Sequence, residues 1–92
     1  MSDASAELHE FMRKRRYLIW YVRDIDRLDE RSIVEHVLNY GNWDDVQEMF
    51  RIMGIDRAAA VFRRWAFVPR SNYRKSIVHY FDLYFNKNIH AA

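Results

Sequence analysis

A chain of 92 residues with 50% hydrophobic and 16% aromatic content has the length of one domain and the apolar mass for a core, which excludes an intrinsically disordered protein. It contains no cysteine, so a disulfide framework and a thiolate zinc site are excluded as well. The formal charge of +2 conceals a division: residues 1–56 hold 8 Lys/Arg against 12 Asp/Glu, and residues 57–92 hold 7 Lys/Arg against Asp82 alone, a net −4 followed by a net +6.

The opening MSDASAELHE has neither a basic start nor an apolar run, so no signal peptide is expected there. The longest apolar run, Tyr17 to Val22, is far short of the roughly 20 residues of a membrane span. A cytoplasmic protein is the expectation.

Residues 1–4 are expected to be a disordered N-terminus. A first helix is predicted from about Ser5 to Arg16, with Ser5 as N-cap and Leu8, Phe11 and Met12 on one face. Glu7 and Glu10 suit its positive start, and Arg13-Lys14-Arg15-Arg16 complements its negative end. Tyr17–Val22 reads as helical or irregular structure packed into the core, because periodicity cannot assign so short an apolar run. Arg23–Leu28 reads as a polar connection. Asp24 and Asp26 there have a metal-pair spacing, but no further ligand accompanies them.

From Ile33 to Trp65 the chain reads as amphipathic helices divided by its only two glycines, Gly41 and Gly54. The second helix is predicted over Glu30–Tyr40, capped by Asp29, with Ile33, Val34, Val37 and Leu38 as its apolar stripe and Gly41 as a left-handed terminator. Asn42 is predicted to cap the third helix, with Asp44 and Asp45 in its first turn and Trp43, Val46, Met49, Phe50 and Met53 facing inward. The fourth helix follows Gly54, capped by Asp56, with Ile55, Ala58, Ala59, Phe62 and Trp65 on one side. Pro69 ends it by about Ala66. Ser71 or Asn72 is predicted to cap a fifth helix that runs to about Asn86 and bears Tyr73, Ile77, Tyr80, Phe81, Tyr84 and Phe85. The expected fold is therefore all-α: a single compact domain of four to five short helices over residues 5–86, with a frayed tail over 87–92.

No pattern in the chain carries catalytic chemistry. His9, His36, His79 and His90 are scattered without a ligand spacing, and no phosphate loop, nucleophile elbow or HExxH motif occurs. The reading is non-enzymatic, with no metal and no cofactor. Met49–Trp65 has the outline of a helix-turn-helix with Gly54 in the turn and Arg57, Arg63 and Arg64 on the second helix. Phe50 occupies a place where such a motif needs a small residue, and Asp56-Arg57-Ala58-Ala59-Ala60 offers little to read base edges. Asp44, Asp45 and Glu48 give the preceding helix the wrong sign for phosphates.

The number of aromatics exceeds what so small a core needs, which points to a surface that meets a protein partner. The candidate partner-binding residues are Arg63, Arg64, Arg70, Tyr73, Arg74, Lys75, Tyr80 and Tyr84, since tyrosine and arginine dominate binding hot spots. Phe81 and Ile77 are the best core candidates on the fifth helix, and Trp20, Trp43 and Trp65 read as core.

The run Ile33-Val34-Glu35-His36-Val37-Leu38-Asn39-Tyr40-Gly41, followed by Asp45, Gly54-Ile55 and Phe81-Asp82-Leu83-Tyr84-Phe85, resembles a family of small bacterial helical proteins of unknown function marked by Val-Leu-x-Tyr-Gly. The resemblance spans about residues 18–86. This chain differs from the pattern at Trp20-Tyr21, where the family has Trp-Asp, and in a longer connection over residues 66–73. Such proteins are often encoded beside nucleotidyltransferase-type toxins, so the resemblance implies an antitoxin or accessory protein that binds and masks a toxin. The alternative partners are nucleic acid, bound by a helix-turn-helix-like regulator through the basic C-terminal face, and a second copy of the chain in a homodimer. No membrane partner is expected.

Overall fold

Asp29 begins the most regular part of the molecule: its carboxylate accepts the Ser32 N–H at 2.8 Å, satisfying one of the otherwise unpaired donors of a helix start. A computed structural model describes residues 3–20 and 22–89. These form five helices: α1 (Asp3–Arg13), α2 (Glu30–Tyr40), α3 (Trp43–Met53), α4 (Ile55–Trp65) and α5 (Lys75–Asn88). Two 3-10 turns, Arg16–Leu18 and Ile25–Arg27, lie between α1 and α2. The described residues contain no strand, and the domain is all-α. No helix among them is long and apolar enough to cross a membrane.

The predicted α2 stripe is the centre of the core. Ile33, Val34, Val37 and Leu38 are all 1% exposed or less, and they meet Leu8, Phe11 and Met12 of α1 and Ala59 and Phe62 of α4 in one apolar cluster. The most extensive helix–helix packing is of α2 with α4 and of α1 with α3. α5 is joined differently, through rings. Phe62 has Tyr73, Phe81 and Phe85 around it at centroid separations of 5.3, 6.4 and 5.4 Å, and Phe50 of α3 lies 5.7 Å from Phe85. Large aromatic side chains hold a helix axis further from its neighbours than alanine or valine does.

Several local expectations are corrected. α1 starts at Asp3, so Ser5 lies within it rather than capping it, and the helix ends at Arg13. The basic run then passes into the 3-10 turn, because burial of Leu18 and Ile19 turns the chain back toward the core. Tyr21 lies outside the described residues, so the expectation for Tyr17–Val22 is answered only for the others. The polar connection over 23–28 contains a 3-10 turn whose Ile25 is buried. Of the ends expected to be disordered or frayed, residues 1–2 and 90–92 lie outside the described residues; α1 already includes Asp3, and α5 continues to Asn88.

The two glycines serve different physical needs. Gly54 has φ +89°, the left-handed geometry that lets α3 pass directly into α4, so Gly54 rather than Asp56 precedes that helix and Asp56 lies in its first turn. Gly41 is extended, at φ −74° and ψ 156°, not left-handed. Its requirement is space: a Cβ there would lie 2.7 Å from the Val37 carbonyl oxygen and 3.0 Å from the Asp45 Cβ. Gly41→Ala is expected to cost about 2 kcal/mol through this crowding. Gly54→Ala, which meets open space but the wrong backbone region, should cost about 1–2 kcal/mol. Urea unfolding of both variants checks this; an unchanged midpoint in Gly41→Ala would show that the α2–α3 junction opens without strain.

α5 is capped from outside its own sequence. Neither Ser71 nor Asn72 caps it, and Arg74 takes the N-cap place without a side-chain bond. The buried Asn39 of α2 instead accepts the Arg74 N–H at 3.0 Å and donates to the Asn72 carbonyl at 3.1 Å. One amide thus fixes both the end of the α4–α5 connection and the direction in which α5 leaves it.

Candidate protein-interaction surface

The surplus rings gather where α5 meets the α2–α3 junction. Trp43, the first residue of α3, meets Tyr84 edge-on at 5.3 Å, and Tyr84 stacks on Tyr80 one turn earlier at 6.3 Å and 11°. Tyr84 is itself half-buried against Phe50 and Phe85, so it anchors the group to the core. Tyr80 remains 51% exposed, Trp43 40% and the adjoining Leu83 58%, after the core has already been filled by other side chains. Three residues before Trp43, Tyr40 is exposed and carries the Arg74 guanidinium 4.5 Å above its ring. Tyr40 also shares a groove of about 280 Å³ with Tyr17, Leu18 and Trp20.

A buried carboxylate holds Tyr17 in place. Asp45 accepts the Tyr17 hydroxyl at 2.7 and 2.8 Å, the Arg15 Nε–H at 2.8 Å and the Asn42 backbone N–H at 3.0 Å. Asn42 in turn accepts the Asp45 N–H, completing a capping box at the start of α3. Desolvation alone would raise the Asp45 pKa, but the hydrogen bonds and the Arg15 charge together outweigh it and hold the carboxyl below its ordinary range. Desolvation and the Asp45 charge push the Tyr17 hydroxyl upward, so its proton stays in the bond. The ring is therefore fixed in orientation while remaining largely exposed.

The eight candidate partner-binding residues separate into groups. Tyr80 and Tyr84 belong to the aromatic surface, and Arg74 lies over the ring of Tyr40, three residues before Trp43. Arg70 and Lys75 are exposed within a few residues of Arg74. Arg63 donates instead to Asn86 near the far end of α5, and Arg64 turns toward Trp65. Tyr73 is corrected: it is 6% exposed, edge-on to Phe62, with a buried hydroxyl that makes no hydrogen bond. Burial first, and the nearby Glu35 charge second, push its pKa upward. It serves the core.

Trp20 and Trp43 depart from their core assignment as well, at 77% and 40% exposed, whereas Trp65 is half-buried and packed against the core. Tyr17, Trp20 and Tyr40 were not among the candidate residues, and neither was Trp43. Tyr40 had a legible signal, because it falls off the 33-34-37-38 stripe of its own helix. Asp45 had half of one, since a capping box can be read from Asn42-x-x-Asp45, whereas its pairing with Arg15, 30 residues earlier, is tertiary. Within the helix-turn-helix outline, α3 and α4 are separated by Gly54 alone, Phe50 packs on α5, and Arg57 is held by Glu30 at 2.7 Å. Among the described residues no three His, Cys, Asp or Glu side chains are grouped to hold a metal ion.

Compared with family models, curated proteins and solved structures, the chain finds no match.

Proposed function

We propose that this chain is a non-enzymatic protein-interaction module whose binding face is the aromatic surface of Trp43, Tyr80 and Tyr84, continued through Tyr40 and Arg74. The observation that carries this reading is a ring-on-ring group that stays exposed although it is anchored, through Tyr84, in a filled core. Rigid rings lose little side-chain entropy on binding, and tyrosine, tryptophan and arginine are the residue types that concentrate binding energy. Resemblance of residues 18–86 to the Val-Leu-x-Tyr-Gly proteins supports taking a toxin as the partner and masking of its active site as the effect. Contact masking needs on the order of 800 Å² from each side.

Affinity purification of the tagged chain after nuclease treatment, followed by mass spectrometry, tests the reading. One stoichiometric protein is expected to remain bound. Nucleic acid without a retained protein, with affinity falling steeply as salt rises, would transfer the function to the DNA-binding alternative. Tyr80→Ala should weaken the complex by about 2 kcal/mol, roughly thirtyfold, with circular dichroism unchanged. Tyr84→Ala should lower both affinity and stability, because that ring also packs on Phe50 and Phe85. Full affinity in Tyr80→Ala would remove α5 from the interface.

A further inference from the structure

Trp65 ends α4 with two guanidinium groups close to its ring, that of Arg31 of α2 at 3.8 Å from the centroid and that of Arg64 at 5.1 Å. The three side chains line a groove of about 230 Å³ between α2 and α4, walled also by Glu30, Arg57 and Val61. Glu30 is the one acid in that wall and is already engaged: Arg57 donates to it from Nε at 2.9 Å and from Nη2 at 2.7 Å. Three guanidinium groups against one carboxylate leave the groove at +2. Among the described residues neither Arg31 nor Arg64 has an ion-pair partner.

We infer that this groove is a docking site for a carboxylate-bearing segment of an acidic protein partner, with the carboxylate received between Arg31 and Arg64 and its apolar flank laid on Trp65 and Val61. The planar guanidinium fork matches a carboxylate with two parallel N–H···O bonds, and stacking on the indole holds the fork in place before the ligand arrives. The indole and Val61 give the groove an apolar floor that a bare anion does not use. The surroundings disfavour a nucleic acid. Glu30 stands in the wall, Glu35 follows Arg31 by one turn on α2, and Asp56 lies in the first turn of α4. Such a frame repels a row of closely spaced phosphates and tolerates one carboxylate on a largely apolar segment. Arg31 lies about 14 Å along α2 from Tyr40, so the groove does not depend on the aromatic surface being the binding face.

The test uses a blocked peptide of alternating glutamate and leucine, added to the full chain labelled with nitrogen-15 at constant ionic strength. The Trp65 indole N–H and the Arg31 and Arg64 Nε–H signals are expected to move together and saturate. Arg31→Gln with Arg64→Gln should weaken binding at least tenfold. Glu30→Gln, which releases Arg57 into the groove, should tighten it about threefold, a gain that a folding defect cannot produce. Equal binding of a peptide with glutamine in place of glutamate would overturn the carboxylate assignment. Stronger movement of the same signals by a single-stranded oligodeoxynucleotide would overturn it in favour of a nucleic-acid face. Unchanged binding in the double arginine variant would remove the groove altogether.

Discussion

Asp45→Ala is expected to destabilise the fold by about 3 kcal/mol, because one substitution removes the acceptor of the Asn42 N–H in the capping box and strands a partly buried arginine and a tyrosine hydroxyl. The Asp45 side chain is 4% exposed and that of Arg15 21%, so solvent screens this pair little. Urea unfolding gives the loss directly. The same carboxylate makes stability depend on pH. Its folded-state pKa is depressed, so the unfolded chain binds the proton more tightly. The contribution is therefore complete above the ordinary carboxylate pKa of about 4 and is lost as pH falls through the lower folded value. The urea midpoint of the native chain should drop on acidification through this range, and that of Asp45→Asn should drop less. Parallel profiles for the two would show that Arg15 and Tyr17 do not hold the charge. Because Tyr17 is oriented by this carboxylate, the variants should also loosen the aromatic groove it lines with Trp20 and Tyr40.

Phe62→Ala should cost about 4 kcal/mol, since the ring is fully buried and contacts the rings of Phe67, Tyr73, Phe81 and Phe85. A domain of this size has a total stability of roughly 5–15 kcal/mol, so the variant is expected to sit close to unfolding at ordinary temperature. The loss should fall first on α5, which is attached to the other helices chiefly through these rings. Hydrogen exchange would show amides of Phe81–Phe85 losing protection before those of Ile33–Leu38. Phe62→Leu, which refills most of the volume, should retain the native exchange pattern at a cost nearer 1–2 kcal/mol. Uniform loss of protection in Phe62→Ala would mean that α5 unfolds only together with the rest.

Much of the fold was legible because its signals are local. The α2 stripe, the Asp29 cap and the Asn42 cap each lie within a few residues of what they stabilise, and all three stand where the periodicity and cap chemistry predicted them. The same logic failed at α5. Ser71 and Asn72 were sound local caps, but Asn39 of α2 supplies the bond, 35 residues away from Arg74. The candidate surface was half legible. Tyr80, Tyr84 and Arg74 were identified from residue type, and Tyr73 was assigned with them because residue type cannot distinguish a ring that faces Phe62 from one that faces solvent.

The helical class and the limits of α2 and α3 follow from the sequence alone, since hydrophobic period, capping residues and glycine positions act over one or two turns of chain. Which rings remain outside, the joining of Arg15 to Tyr17 by Asp45, and the approach of Arg31 and Arg64 to Trp65 are set by the packing of the helices. Those outcomes depend on how helices distant in sequence cross, and a charge or a ring acquires its role from whatever neighbour the crossing brings to it.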